Sequence, residues 1–202
     1  MVRAKLIENL RQEINHYIGI PYFSNTQKLA RDNLFVGKGH WQEIRTVSSD
    51  YNFLKKNHIG IDCSGLVCHL LNFYFNSNLD VRKTSASMLT SPPISEKVNS
   101  TTTIQTGDLI RLDSGRHIIF IIEKIGNIIN YVHSSDRTKI RGVHLGTITI
   151  TKPEQTLEHQ SWSDQTLANL PYSSLFNPSN GDGIFRLKRS TFPPTAPDTL
   201  GD

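Results

Sequence analysis

Residues 60–74 read GIDCSGLVCHLLNFY. Asp62 has a short side chain suited to accept from backbone N–H groups at the start of a helix. From Cys63 onward the apolar residues Leu66, Val67, Leu70, Leu71, Phe73 and Tyr74 cover most of a helical circumference. A helix with that pattern is buried on several sides, so it is a core element around which the fold is laid. The same helix carries both cysteines of the chain. Cys63 falls at or near its first residue, where unpaired backbone N–H groups point outward. Such groups stabilise a thiolate and can hold the oxyanion of a tetrahedral intermediate. Ser64 and Gly65 are small and leave the helix mouth open to a substrate chain. Cys68, among leucine and valine, reads as a core residue. The two cysteines fall on different helix faces, and no bond between them is expected.

Upstream, Leu6, Ile7, Leu10, Ile14 and Tyr17 predict an amphipathic helix over residues 3–17. GIPY (19–22) ends it, because a residue before proline avoids helical backbone. Residues 23–59 read as a variable insertion. It holds a short helix over TQKLARDNLF (26–35), a turn at VGKGH (36–40) and an amphipathic stretch, WQEIRTVSSDYNFLKK (41–56), that commits to no element. Beyond the central helix, TSASML (84–89) predicts a short helix capped by Thr84, and SPPISEKVNSTTT (91–103) a loop.

After residue 105 the period changes to that of strands: GDLIRLD (107–113), HIIFII (117–122), IINYVH (128–133), TITIT (147–151) and GIFRLK (183–188). Helices first and antiparallel strands after them predict an α+β fold, with helices packed on one side of a sheet. Residues 1–189 are expected to form one domain and 190–202 a flexible tail rich in proline and threonine.

With 202 residues, 37% of them hydrophobic, the chain can bury one ordinary core. The net charge of +4 comes from scattered basic residues, with neither stripe nor motif for nucleic acid, so no nucleic-acid partner is expected. No apolar run is long enough for a transmembrane helix. Glu8, Arg11, Gln12 and Glu13 interrupt the N-terminal apolar residues, which excludes a signal peptide. A cytoplasmic setting, a non-standard export route and a removed leader all stay open. A monomer is expected.

Cys63 needs a base. His16, His40, His58, His69, His144 and His159 have no companion chemistry in the sequence and read as surface or core residues. His117 opens the strand HIIFII and His133 closes IINYVH. Lys124, Ile125 and Gly126 fit a three-residue hairpin loop with glycine in the left-handed slot. Counting outward from it sets His117 opposite His133 on one side of the sheet, about 5 Å apart at Cβ. A base and an imidazole that orients it would then stand together.

Four marks in order resemble the NlpC-type cysteine peptidases, papain-like enzymes that cut peptidoglycan stem peptides. They are GIPY (19–22), IDCSGLV (61–67), TGDLIRLDSGRHIIFII (106–122) and YVHSS (131–135). The resemblance implies a papain-like fold with Cys63 as nucleophile, His117 as base and His133 as orienter. Tyr22, Asp62, Ser64 and Arg116 are the candidates for contacting substrate or the oxyanion. It implies a bond next to D-glutamate in a stem peptide or muropeptide, and no metal or cofactor. A zinc set of Cys63, His117 and His133 is the least favoured alternative, for want of a fourth ligand. An inactive or acyl-transferring relative that binds muropeptides is the other. The sequence departs from the pattern in three places. The family's tyrosine normally lies closer to the cysteine, so that Tyr51 has its spacing and Tyr22 its motif. Ile119 replaces the glycine that usually follows the base by two residues. Signal peptide and wall-binding repeats are not seen.

Overall fold

The computed structural model describes residues 2–24 and 36–192. It is an α+β fold. Among the described residues five α-helices, α1 (Val2–Tyr17), α2 (Trp41–Val47), α3 (Tyr51–Lys56), α4 (Cys63–Phe75) and α5 (Ala86–Leu89), precede or interleave with nine strands. The strands are β1 (Val36–Gly37), β2 (Gly60–Ile61), β3 (Ser95–Val98), β4 (Leu109–Leu112), β5 (His117–Ile125), β6 (Ile128–Ser135), β7 (Gly142–Thr149), β8 (Ser161–Trp162) and β9 (Gly183–Leu187). Seven form an antiparallel sheet in the order β3-β9-β4-β5-β6-β7-β8, and β1 and β2 pair separately in parallel. No helix among the described residues is long and apolar enough to cross a membrane.

Residues 41–56, undecided from sequence, form two short helices because each has its own cap. His40 accepts from the Gln42 N–H while Glu43 reaches back to His40, and Asp50 accepts from Asn52 and Phe53. The cap of α5 is Ser85, not Thr84, whose hydroxyl donates instead to the Asp80 carbonyl. The expected loop at 91–103 contains β3, an edge strand too polar to show a strand pattern. VGKGH, read as a turn, supplies β1. The expected helix at 26–35 lies outside the described residues, as does the tail from 193. Residues 190–192 are not part of a free tail, because Phe192 is buried and stacks on Phe75 at 4.5 Å.

The sheet is covered on both faces, where the sequence suggested helices on one. Leu10, Ile14, Ile44, Leu54 and the apolar residues of α4 pack on Leu109, Ile118, Phe120, Val132 and Val143. The opposite face carries Ile110, Ile119, Ile121, Tyr131 and Ile148 and is closed by Leu157, Trp162, Tyr172 and Phe176 from the irregular segment beyond β7. Burial on both faces is why β5 reads as an unbroken apolar run rather than an alternation. Ile119 sits fully buried in this second core.

The β5–β6 hairpin differs from the count made on sequence. Its turn has two residues, with Ile125 opposite Ile128 and Gly126 at positive φ, in the manner of a type II′ turn. A bulge between Ile121 and Glu123 then shifts the register, so that Phe120 faces Val132. Carried on, that register sets His117 opposite Ser135, and His133 becomes its diagonal neighbour. The shorter turn alone would have put the two histidines on opposite faces, because one step of register exchanges the faces of a strand. The extra residue of the bulge restores the parity.

Two marks read as motifs are structural. Gly107 has φ +88, and a Cβ there would lie 2.5 Å from the Phe75 ring. Asp108, fully buried, takes a two-pronged hydrogen bond from Arg186 at 2.8 Å on each oxygen, which fastens β4 to β9.

Candidate active site

GIPY is the hinge on which the site is hung. The Gly19 N–H donates to Val143 and the Val143 N–H to Ile20, both at 2.9 Å, while the Ile61 N–H donates to Pro21 at 3.0 Å. The segment is thus held between β7 and β2, which brings Tyr22 beside the start of α4. Glycines make the approach possible. A Cβ on Gly60 would lie 2.2 Å from the Pro21 oxygen, one on Gly142 2.4 Å from the Ile20 oxygen, and one on Gly65 2.2 Å from the Gly37 oxygen. Tyr22 lines the cleft of about 290 Å³ that holds Cys63, Asp62, Ser64 and Arg116, and also the adjoining one of about 420 Å³ that holds His117. Tyr51 lines neither; it opens α3, with Lys55 over its ring.

Cys63 is the first residue of α4, behind the N-cap Asp62, whose carboxylate accepts from the Gly65 N–H at 2.6 Å. Burial pushes its thiol up to about 12, Asp62 adds to that, and hydrogen bonds from the backbone of Ile118 and Ser64 with the charge of Lys38 work against it. Ile118 directly follows His117, so the thiol lies at the end of β5 where His117 stands. Both cysteines are free, and Cys63 keeps 5% exposure against none for Cys68.

Lys38, which no motif singles out, is buried under this helix mouth. Its ammonium donates to Asp62 at 3.2 Å, to the Thr84 carbonyl at 3.2 Å and to the Ser64 hydroxyl, and that hydroxyl donates on to Asp62 at 3.0 Å. All three donors of the lysine are used. Asp62 and Ser64 therefore position Cys63 as well as lining its cleft. Arg116 stands at the rim and donates to Asp113 at 2.7 Å.

The histidines meet as the sequence suggested, and two further residues join them. His117 Nε2 lies 2.8 Å from His133 Nδ1. His133 Nε2 lies 2.9 Å from His144 Nε2 and 3.0 Å from Asp164 Oδ2. His144, set aside on sequence, is the direct cross-strand partner of His133. Tyr131 donates to the same Asp164 oxygen at 2.8 Å. The network assigns the protons from its far end. His144 Nδ1 is 3.0 Å from the Gly142 carbonyl, which only accepts, so that nitrogen carries the hydrogen. With that hydrogen on Nδ1, His144 Nε2 serves as acceptor, and His133 Nε2–H donates to it and to Asp164. His133 Nδ1 accepts from His117 Nε2–H, and the free Nδ1 of His117 is left without a proton.

Burial holds His117 well below the ordinary histidine range, helped by the charges of His133 and Arg137. Burial also lowers His133, to about 4, against the opposing pull of Asp164. Burial alone would raise Asp164, but its contacts with His133 and His144 outweigh that and hold it below the usual carboxylate range. Burial thus favours the neutral forms of both Cys63 and His117.

A stability prediction follows from these rings and from His69, which burial lowers to about 4. Their folded values lie below the unfolded value of 6.5, so the unfolded chain binds more protons between the two. Their contribution is fully present above pH 6.5 and is lost as pH falls toward 4. At about 1.4 kcal/mol per pKa unit, urea unfolding should register a loss of several kcal/mol across that window. His133→Gln should flatten the slope. A pH-independent midpoint would contradict the neutral assignment.

The extra members were hidden for a physical reason. His144 lies in a strand whose apolar signal was read only from residue 147, and Asp164 and Lys38 lie in short irregular segments whose partners are remote in sequence. A scan against protein-family models gave no match, and a search of curated proteins gave none either.

Proposed function

We propose that this chain is a cysteine peptidase or amidase of the NlpC type, papain-like in arrangement, that hydrolyses peptidoglycan stem peptides next to D-glutamate. One observation carries the reading: a thiol at the first residue of a buried helix abuts the strand end that presents His117, with His133 and Asp164 in line behind it. His117 Nδ1 takes the thiol proton as sulfur bonds to the amide carbon. The oxyanion is held by the Cys63 backbone N–H and the Tyr22 hydroxyl. The imidazolium so formed donates through His133 toward the Asp164 carboxylate, whose charge opposes its own. His117 then gives the proton to the leaving amine as the C–N bond breaks. Water, deprotonated by the same nitrogen, opens the thioester.

Charge at the rim supports an anionic peptide. The excess lies in the Cys63 cleft, where Arg82, Lys83 and Arg116 stand with Lys38 against Asp62, whereas Arg116 and Arg137 in the neighbouring cleft are balanced by Asp113 and Asp136. Stem peptides carry free carboxylates that such a rim would attract.

Incubation with muropeptides and with sugar-free stem peptides, followed by mass spectrometry, tests the reading. The expected result is cleavage at one amide beside D-glutamate, with water added across it. Added amine would divert the product if acyl transfer competes. Binding without any new mass would leave the muropeptide-binding alternative standing and remove the hydrolase. Iodoacetamide should label Cys63 before Cys68, since only Cys63 reaches solvent. Equal labelling of both would count against Cys63 as nucleophile.

A further inference from the structure

We propose that His133, His144 and Asp164 form a binding site for a divalent transition-metal ion of the zinc type, and that filling it stops His117 from acting as a base. His133 Nε2, His144 Nε2 and Asp164 Oδ2 form a near-equilateral triangle with edges of 2.9, 3.0 and 3.3 Å. Tetrahedral bonds of about 2.1 Å set ligand atoms about 3.4 Å apart, so the triangle needs to open by only a few tenths of an ångström. Two imidazoles and a carboxylate are a donor set that zinc and its neighbours take.

Protons point the same way. With His144 Nδ1–H directed at the Gly142 carbonyl, two lone-pair atoms, His144 Nε2 and Asp164 Oδ2, converge on the single hydrogen of His133 Nε2. His144 Nε2 and Asp164 Oδ2 lie 3.3 Å apart, close enough to share one cation. A cation would satisfy all three atoms at once. The surrounding support is of the kind metal ligands have: His144 donates its other ring N–H to a carbonyl, and Tyr131 fixes the carboxylate. His133 and His144 are paired across β6 and β7, so the two ring ligands are held in place by the ladder. His144 and Asp164 keep 4% and 6% exposure, so the cluster is not sealed.

The second half of the proposal rests on the role proposed for His117. A metal takes the Nε2 lone pair of His133 and leaves its proton on Nδ1. That N–H then donates to His117 Nε2, so neutral His117 keeps its own proton on Nδ1. The nitrogen toward Cys63 has no lone pair to receive the thiol hydrogen.

Calorimetric titration of Cys63→Ala protein with Zn2+, which removes the thiol that reaches solvent, should show one ion per chain. Adding His144→Ala or Asp164→Asn should weaken binding about tenfold or more. No uptake of Zn2+, or undiminished binding by the folded variants, would overturn the site. In the unsubstituted chain one equivalent of Zn2+ should slow alkylation of Cys63 by iodoacetamide about tenfold, and EDTA should restore it. The slowing should vanish in His144→Ala. If it persisted there, zinc would be acting at the thiol and the switch would be wrong. Alkylation does not depend on which amide is cut, so its outcome is independent of the muropeptide assay.

Discussion

Replacing Cys63 by alanine is expected to abolish amide cleavage, lowering kcat/KM by about 10³-fold or more, while the protein stays folded. On the proposed mechanism the thiol attacks the carbonyl carbon, and alanine offers no atom that can bond to it. The fold should survive because the change removes one small, nearly buried atom and leaves the Asp62 cap and the Lys38 contacts in place. His117→Ala should cost a similar factor, since the neutral thiol has then no acceptor for its proton. Asp164→Asn should cost less, about 10- to 100-fold, mainly in kcat, because it acts on His117 only through His133. Activity of Cys63→Ala on muropeptides within a few-fold of the parent would dismiss the nucleophile, and with it the mechanism.

Lys38→Met should lower stability by about 3–5 kcal/mol. The ammonium and the Asp62 carboxylate are 7% and 8% exposed, and removing one charge leaves the other buried without its counterion. Such a loss comes from stranding a charge, not from the worth of the pair itself. The double variant Lys38→Met with Asp62→Asn should therefore recover most of it, because asparagine keeps an oxygen to cap Gly65 and to accept from Ser64. Urea unfolding of the two single variants and the double gives the coupling directly. If Lys38→Met alone fell within about 1 kcal/mol of the parent, the lysine would not be the counterion that the geometry implies.

Much of this architecture was legible because its signals are local. The cap, the small residues and the apolar circumference of α4 all lie within residues 60–75, and the strand period after residue 105 needs no tertiary knowledge. The two caps in 41–56 were equally local but went unread, since neither helix exceeds two turns. His117 and His133 were found together although the hairpin was counted wrongly, because a shorter turn and a bulge changed the register by an even number. What stayed hidden depends on contacts across long separations. Asp164 meets His133 from 31 positions away and Lys38 meets Ser64 from 26, and nothing near either residue announces the meeting.

The bulge at Ile122 makes the hairpin tip an arithmetic device. Turn length and bulge together decide which face His117 presents, and only their combined parity matters. One residue added at the Gly126–Asn127 tip would roll the base away from His133 without touching either histidine, whereas two would slide the strands and leave the rings on one side. The exposed tip is thus a place where length is constrained in steps of two while, Gly126 apart, composition is nearly free.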